Sequence, residues 1–250
     1  MIFDFQTILF FIILFLSLIW VVGRFFLKKK SSLIELSEAL VPILLLIFLL
    51  RSFIFEPFRI PSGSMMPTLE KGDFIIVRKY AYDLRLPVTG KSLKTTNEPQ
   101  RGDVVVFLFP CDPSIKYIKR LVGLPGDEIN YNNKELTING TKVKSKYQSV
   151  FKDPKQYGSH VYEETFDEGN HSLLLIPSRR GREGSFSVPD GQYFFMGDNR
   201  DNSKDSRYEC PGFVSRDLFV GRATEYGLTG ISALFPNGKE LGTRSNNFIF

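Results

Sequence analysis

The run from Ile8 to Val22, ILFFIILFLSLIWVV, holds one hydroxyl, Ser17, and no charge. With Thr7 before it and Gly23 to Leu27 after it, the segment reaches the roughly 20 residues that an α-helix needs to cross a bilayer. Arg24 falls near one end, where a long stem carries its charge to the interface. A cleaved leader needs a basic start and a small-x-small cleavage site. MIFDFQT holds neither Lys nor Arg and no such site follows, so the segment reads as an uncleaved anchor. Lys28, Lys29 and Lys30 come next and, with Arg24, mark the cytoplasmic side.

A second apolar stretch, EALVPILLLIFLLRSFIFEPF, has an uncharged core from Ala39 to Leu50 that includes Pro42. That length also suits a buried core helix. Continued past Arg51 through Phe55, it makes a short span with aromatics at its exit. The expectation is a membrane anchor over residues 1–55. Its helices run from about 7 to 27 and from about 38 to 55, joined by a basic cytoplasmic loop, 28–37. Residues 56–250 then form one extracytoplasmic domain.

Hydrophobic residues make up 43% of the chain, with 24 Phe, enough for a core as well as two spans. The net charge of +5 is spread along the chain with no basic block in a nucleic-acid motif. A nucleic-acid partner is therefore disfavoured and an anionic membrane surface fits better. Two cysteines, Cys111 and Cys210, and two histidines, His160 and His171, offer no metal-binding spacing. A disulfide is open to the cysteines outside the cytoplasm, although the sequence does not show whether they meet.

The chain beyond Glu56 reads as mostly β. DFIIVRKYAY, RGDVVVFLFP, GQYFFMGDN and LFVGRATEYGL are β-branched and aromatic runs bounded by Gly, Asp and Pro. DEINYNNKELTING reads as two strands about an Asn132–Asn133 turn, ending in Asn139–Gly140. Leu84 to Gln100 is polar and reads as a loop or ribbon. Tyr147 to Ser187 is also polar and marks a variable insertion, about 141–190 with its flanks.

Three stretches bear chemistry. RIPSGSMMPTLEKGD sets Ser62 and Ser64 about one glycine, in a Pro- and Gly-bounded turn just past an anchor. A serine nucleophile needs a base. Both histidines lie in the polar insertion, where a satisfied or solvated role is the simpler reading, and no G-x-S-x-G elbow is present. Lysine is the alternative base, provided burial lowers its pKa. In SIKYIKRLVGLPGD, alternation puts Tyr117, Lys119 and Leu121 on one face. Lys119 thus has an apolar neighbour two residues away on each side, although an arbitrary strand lysine snorkels to water, as Lys116 is expected to do. The third stretch, MGDNRDNSKDSR, fails as a calcium loop because Arg200 and Ser206 occupy required positions. It reads as a turn-rich loop or as a hydrogen-bonded scaffold in which Asp205 and Arg207 pair.

IPSGSMMPTL, YIKRLVGLPGD and GDNRDNSKDSR, in this order after two anchors and RSFIFEPF, resemble the three signature boxes of type I signal peptidases of bacterial inner membranes. The resemblance is strong over Arg51–Arg120 and Met196–Gly221 and weak over Tyr147–Ser187. It implies two transmembrane helices followed by an antiparallel β catalytic domain of the signal-peptidase type, with a variable β insertion. It also implies a membrane-bound Ser-Lys endopeptidase that removes signal peptides from exported preproteins after small-x-small, Ala-x-Ala-like sites, with no cofactor and no metal. On the matching positions Ser64 is the nucleophile and Lys119 the general base. Ser62 joins the Ser64 N–H in the oxyanion hole, and Ser203 orients the Lys119 amine. Gly197 lets the backbone pass closely, and Asp198, Asn199, Asp205 and Arg207 brace the site. Ile60, Pro61, Met65, Leu69, Tyr117 and Ile118 line shallow pockets. Phe53, Phe55 and Phe58 help the domain rest on lipid. The implied partners are preproteins, the bilayer and the export machinery.

Rival patterns are weaker. Ser149-Val150-Phe151-Lys152 matches S-x-x-K, yet S-D-N and K-T-G are missing. Gly90-Lys91-Ser92 has Arg85 where a P-loop needs Gly. Self-cleaving repressors share the dyad but are soluble and bind DNA. A membrane-anchored scaffold with a decayed site is the non-enzymatic alternative.

Overall fold

The computed structural model describes residues 5–26, 31–87, 89–166 and 169–224. Lys28 to Lys30, and the end of LFVGRATEYGL, lie outside the described residues.

Two helices, α1 (Phe5–Phe26) and α2 (Ser32–Leu49), lead the chain, and α2 runs on through a π-helical turn, Leu50–Ile54. Both are long and apolar enough to cross a bilayer. They meet through Leu9, Ile13, Leu44 and Phe48. Gly23 lets them approach, since a Cβ there would lie 2.5 Å from the Ile34 side chain. Phe15, Leu18 and Leu46 point away from the protein, as lipid-facing side chains do. The second helix begins at Ser32, well before the expected residue 38. Apolarity marks a span but not its first turn, where Glu35 faces the positive helix end.

The central sheet has seven antiparallel strands. In spatial order they are Phe55–Arg59, Phe74–Arg78, Phe219–Thr224, Val104–Phe109, Asp112–Gly123, Gln192–Met196 and Val214–Ser215. The VVVFLF strand is buried on both faces, which is why it reads as an unbroken apolar run. Its register sets the neighbouring strand's faces: Val105 opposes Lys119 and Phe107 opposes Tyr117, while Val106 opposes Ile118. Ile118 accordingly joins the core of Ile60, Met65, Leu69, Ile75 and Val77. On the other face Leu121 packs with Val105, Phe107, Phe195 and Phe219.

A four-stranded sheet follows the order Gly184–Ser187, Glu128–Asn132, Glu135–Ile138, Thr141–Lys142. Its first turn falls on Asn133 and Lys134, with φ of +46° and +64°, one residue later than expected. Two left-handed residues match the twist of a hairpin, and the Asn132–Glu135 pairing decides the register. The polar insertion is ordered as three antiparallel strands, Lys144–Val150, His160–Phe166 and Gly169–Leu175. The 84–100 region contains a ribbon of Asp83–Arg85 against Ser92–Thr95. Beyond Ile54 the helical elements among the described residues are short 3-10 turns. Cys111, in the turn leading into the Lys119 strand, forms a disulfide with Cys210.

Candidate active site

The turn that carries Ser64 is closed at its base. Ile60 N–H donates to Asp73 O at 2.8 Å and Gly72 N–H to Ile60 O at 2.9 Å. Within the loop, Met66 N–H bonds Gly63 O and Leu69 N–H bonds Met65 O. Met65 is fully buried beneath the turn, so the apolar side chains after Ser64 pin it onto the sheet. Ser64 is itself buried, and its Oγ lies 3.2 Å from Ser62 Oγ.

Lys119 reaches this turn from the sheet. Its Nζ lies 2.7 Å from Ser64 Oγ and 2.9 Å from Ile118 O. The Tyr117 ring is 5.1 Å from the same nitrogen, as their shared strand face requires. Only 4% of Lys119 is exposed. Burial among apolar neighbours pulls the amine down from 10.5 to about 8, against the opposing pull of Asp205 and Asp198. A lysine so placed is neutral in a useful fraction at mildly alkaline pH and can accept a hydroxyl proton.

The GDNRDNSKDSR stretch braces both groups. Asn199 N–H donates to Ser64 O and its Nδ2 to Gly63 O, each at 3.0 Å. Arg120 grips Asp198 with two nitrogens at 2.8 and 2.6 Å, and Thr68 Oγ1 donates to the same carboxylate at 2.5 Å. Arg207 likewise holds Asp205 at 2.8 Å through two nitrogens, and Gly197 N–H donates to Asp205 at 3.0 Å. Burial would raise both carboxyls, but Arg120 and Arg207 outweigh it and hold Asp198 and Asp205 below the usual range. A Cβ on Gly197 would sit 2.6 Å from Ser64 O and 2.2 Å from Ser203 Oγ. The backbone at Gly197 thus passes close to Ser64 and Ser203.

Some expected partners differ. Ser203 Oγ is buried with no well-formed hydrogen bond, and the second partner of Lys119 is Ile118 O. Ser203 lies near Asp205 and helps keep that carboxyl ionised. Among the expected pocket residues, Ile60, Met65, Leu69 and Ile118 close upon one another as core. Pro61 is exposed and Tyr117 half-buried, so these two offer surface near Ser64. Phe58 faces inward against the same core, because strand alternation leaves Phe55 outside. Lys116 bonds Glu56 at 2.9 Å. Ser149 is exposed on its strand and Gly90–Ser92 lie exposed beside the ribbon. Of the two roles open to His171, the satisfied one holds, though away from the surface: it is buried, 3.2 Å from Glu164, which also takes a two-pronged bond from Arg200.

A protein-family model described as signal peptidase, peptidase S26, matches residues 33–226. The chain belongs to that family. Signal peptidase I of Pseudomonas fluorescens is 45% identical over 208 residues, 82% of this chain and 72% of the relative. Signal peptidase I of Buchnera aphidicola from Acyrthosiphon pisum is 40% identical over 238 residues, 78% of this chain and 75% of the relative. A crystal structure of a signal peptidase I from Enterococcus faecalis is 30% identical, with a TM-score of 0.34 over 52% of this chain and all of that one. Family membership makes the chain a serine protease of signal-peptide processing.

Proposed function

We propose that the protein is a membrane-bound endopeptidase that removes signal peptides after small-x-small sites, with Ser64 as nucleophile and Lys119 as general base. The observation that supports this most directly is the 2.7 Å contact of Ser64 Oγ with an amine lowered to about 8 by burial.

Neutral Lys119 accepts the Ser64 proton while Oγ attacks the scissile carbonyl. The oxyanion then accepts hydrogen bonds from Ser64 N–H and Ser62 hydroxyl, donors worth about 3 kcal/mol each when aimed at developing charge. As the C–N bond breaks, the Lys119 ammonium gives its proton to the leaving amine. A water, deprotonated by Lys119, next attacks the Ser64 ester and releases the signal peptide's carboxylate. Asn199 holds Gly63 and Ser64 carbonyls still through these steps.

The substrate enters extended. Gln192–Met196 pairs with the Lys119 strand only from Arg120 onward. Among the described residues, the stretch from Asp112 to Lys119 therefore has a partner on one side and a free edge on the other. Small side chains suit a floor already filled by Ile60, Met65 and Ile118. The two helices hold this edge at the outer membrane surface, where a preprotein leaves the export machinery. Phe55, Phe74, Arg59, Arg78 and Arg222, exposed at the sheet edge next to α2, meet the lipid.

The test is cleavage of a preprotein bearing Ala-x-Ala by the full chain in detergent, with the product's ends read by mass spectrometry. Cutting after the second Ala is expected, with at least a thousand-fold loss in Ser64→Ala and Lys119→Ala and none in Ser149→Ala. Undiminished cleavage by Ser64→Ala would remove the proposal.

A further inference from the structure

The insertion brings the Gln156 side chain beside the Ser64 turn. The loop from Phe151 to Ser159 is closed at its base, where Phe151 N–H donates to Ser159 O at 2.8 Å. Its 3-10 turn, Pro154–Gln156, is capped by Gln156 N–H on Asp153 O. Gln156 Oε1 accepts from Asn199 Nδ2 at 3.2 Å and from Asn202 Nδ2 at 3.0 Å. Asn199 Nδ2 spends its other hydrogen on Gly63 O. The three amides thus form one network, and Gln156 is its only member from outside the signature boxes.

This arrangement decides which way the Gln156 amide points. Its oxygen is turned to the two asparagines, so its Nε2 is turned to the nucleophile turn, 4.0 Å from where a Gly63 Cβ would stand. Among the described residues nothing accepts the Nε2 hydrogens. Lys119 meets Ser64 at its Oγ, whereas Asn199, which bonds Gln156, meets it at its carbonyl. For Gln156 to meet the substrate, a chain that lies along the free edge and presents its scissile carbonyl to Ser64 has to continue past Gly63 on the Gln156 side.

We infer that Gln156 is a specificity-determining residue for the leaving side of the scissile bond, its Nε2 donating to a main-chain carbonyl among the first residues of the mature protein. The inference rests on the reading of Ser64 as nucleophile. It gives the insertion a place in the reaction: main-chain recognition accepts any mature sequence that can run extended across the loop, and disfavours a proline-kinked one. Tyr157, the next residue of the same loop, is 93% exposed.

Two substrates identical up to the cut test this. One ends in a methyl ester at the scissile carbonyl and the other continues for six residues. The readout is the ratio of kcat/KM, long over short, for the full chain in detergent. Gln156→Ala removes both functions of the amide, whereas Gln156→Glu keeps an acceptor for Asn199 and Asn202 but has no donor. The ratio is expected to fall about five-fold in both variants, the worth of one neutral hydrogen bond. A role confined to supporting Asn199 would lower both substrates together in Gln156→Ala and leave the ratio at the wild-type value, which overturns the inference. A wild-type ratio in Gln156→Glu overturns it too. If wild type cuts neither substrate, or Ser64→Ala cuts both, the reading of Ser64 falls and takes this one with it.

Discussion

Gly197 shows how little room there is between Ser64 and Ser203. A methyl there would lie 2.2 Å from Ser203 Oγ, 2.5 Å from Ser203 Cβ and 2.6 Å from Ser64 O. The last of these is backbone, so the turn that carries Ser64 has to move. Gly197→Ala is expected to lower kcat about a hundred-fold, the effect of a reacting group displaced by about 1 Å. Its circular dichroism spectrum should match wild type, and a kcat within three-fold of wild type would contradict the account. Ser64 and Lys119, which lie 2.7 Å apart, stand out in the sequence because each violates its local norm: Ser64 is a hydroxyl in an apolar turn just past an anchor, and Lys119 a cation inside an apolar strand. The finer partners were not legible. Nothing local to Ser203 says that Ile118 O takes its place at the amine, and nothing local to Gln156 says that it crosses to Asn199. Both follow from distances between segments far apart in the chain.

Among the elements, the three-stranded insertion departs most from its polar composition. It reads as solvated, yet its middle strand buries Glu164 between Arg200 and His171. Polar residues are hidden there because they satisfy one another, which composition does not register. The same sheet reaches the site through its last strand, where Leu174 N–H donates to Asp198 O at 2.8 Å. Burial acts to raise the Glu164 carboxyl, but Arg200 and His171 outweigh it and bring it to about 2, from 4.5. A folded value below the unfolded one stabilises the fold above the unfolded value and loses that contribution as pH falls through the folded one. Wild type should therefore lose stability between about pH 4.5 and 2 more steeply than Glu164→Gln. At pH 7 Glu164→Gln should be less stable by about 3 kcal/mol, since it leaves Arg200 buried without a counter-charge. Urea unfolding across this range measures both, and equal acid slopes would refute the linkage. The strands themselves were readable from alternation and from Gly, Asn and Pro punctuation. The one-residue error at Asn133–Lys134 arose because NYNNKE offers two adjacent turns and only cross-strand pairing chooses between them.

At the scale of the whole molecule, anchor, sheet and disulfide agree on one arrangement. Two apolar helices lead into the sheet edge, and Phe55 and Phe74 stand exposed beside them. The Cys111–Cys210 bridge ties the turn before the Lys119 strand to the loop after Arg207, across 99 residues. Such a bridge belongs to an oxidising compartment, which supports the proposed placement of the domain outside the cytoplasm. The pKa of Lys119 belongs to this scale as well, because the entire closed core around it sets its burial. An ammonium held down to about 8 from 10.5 opposes folding at neutral pH, and that opposition lifts as pH rises through this window. With Lys119 as the proposed base, catalysis gains earlier, as pH rises toward 8, since only the neutral amine of the folded protein takes a proton. The most direct test is the pH dependence of kcat/KM for a preprotein substrate, measured on the full chain in detergent from pH 6 to 10. The account predicts a rise of about ten-fold per unit below pH 8 and a plateau above it. A profile flat from pH 6 to 10, or one that falls through pH 8, would contradict Lys119 as the base.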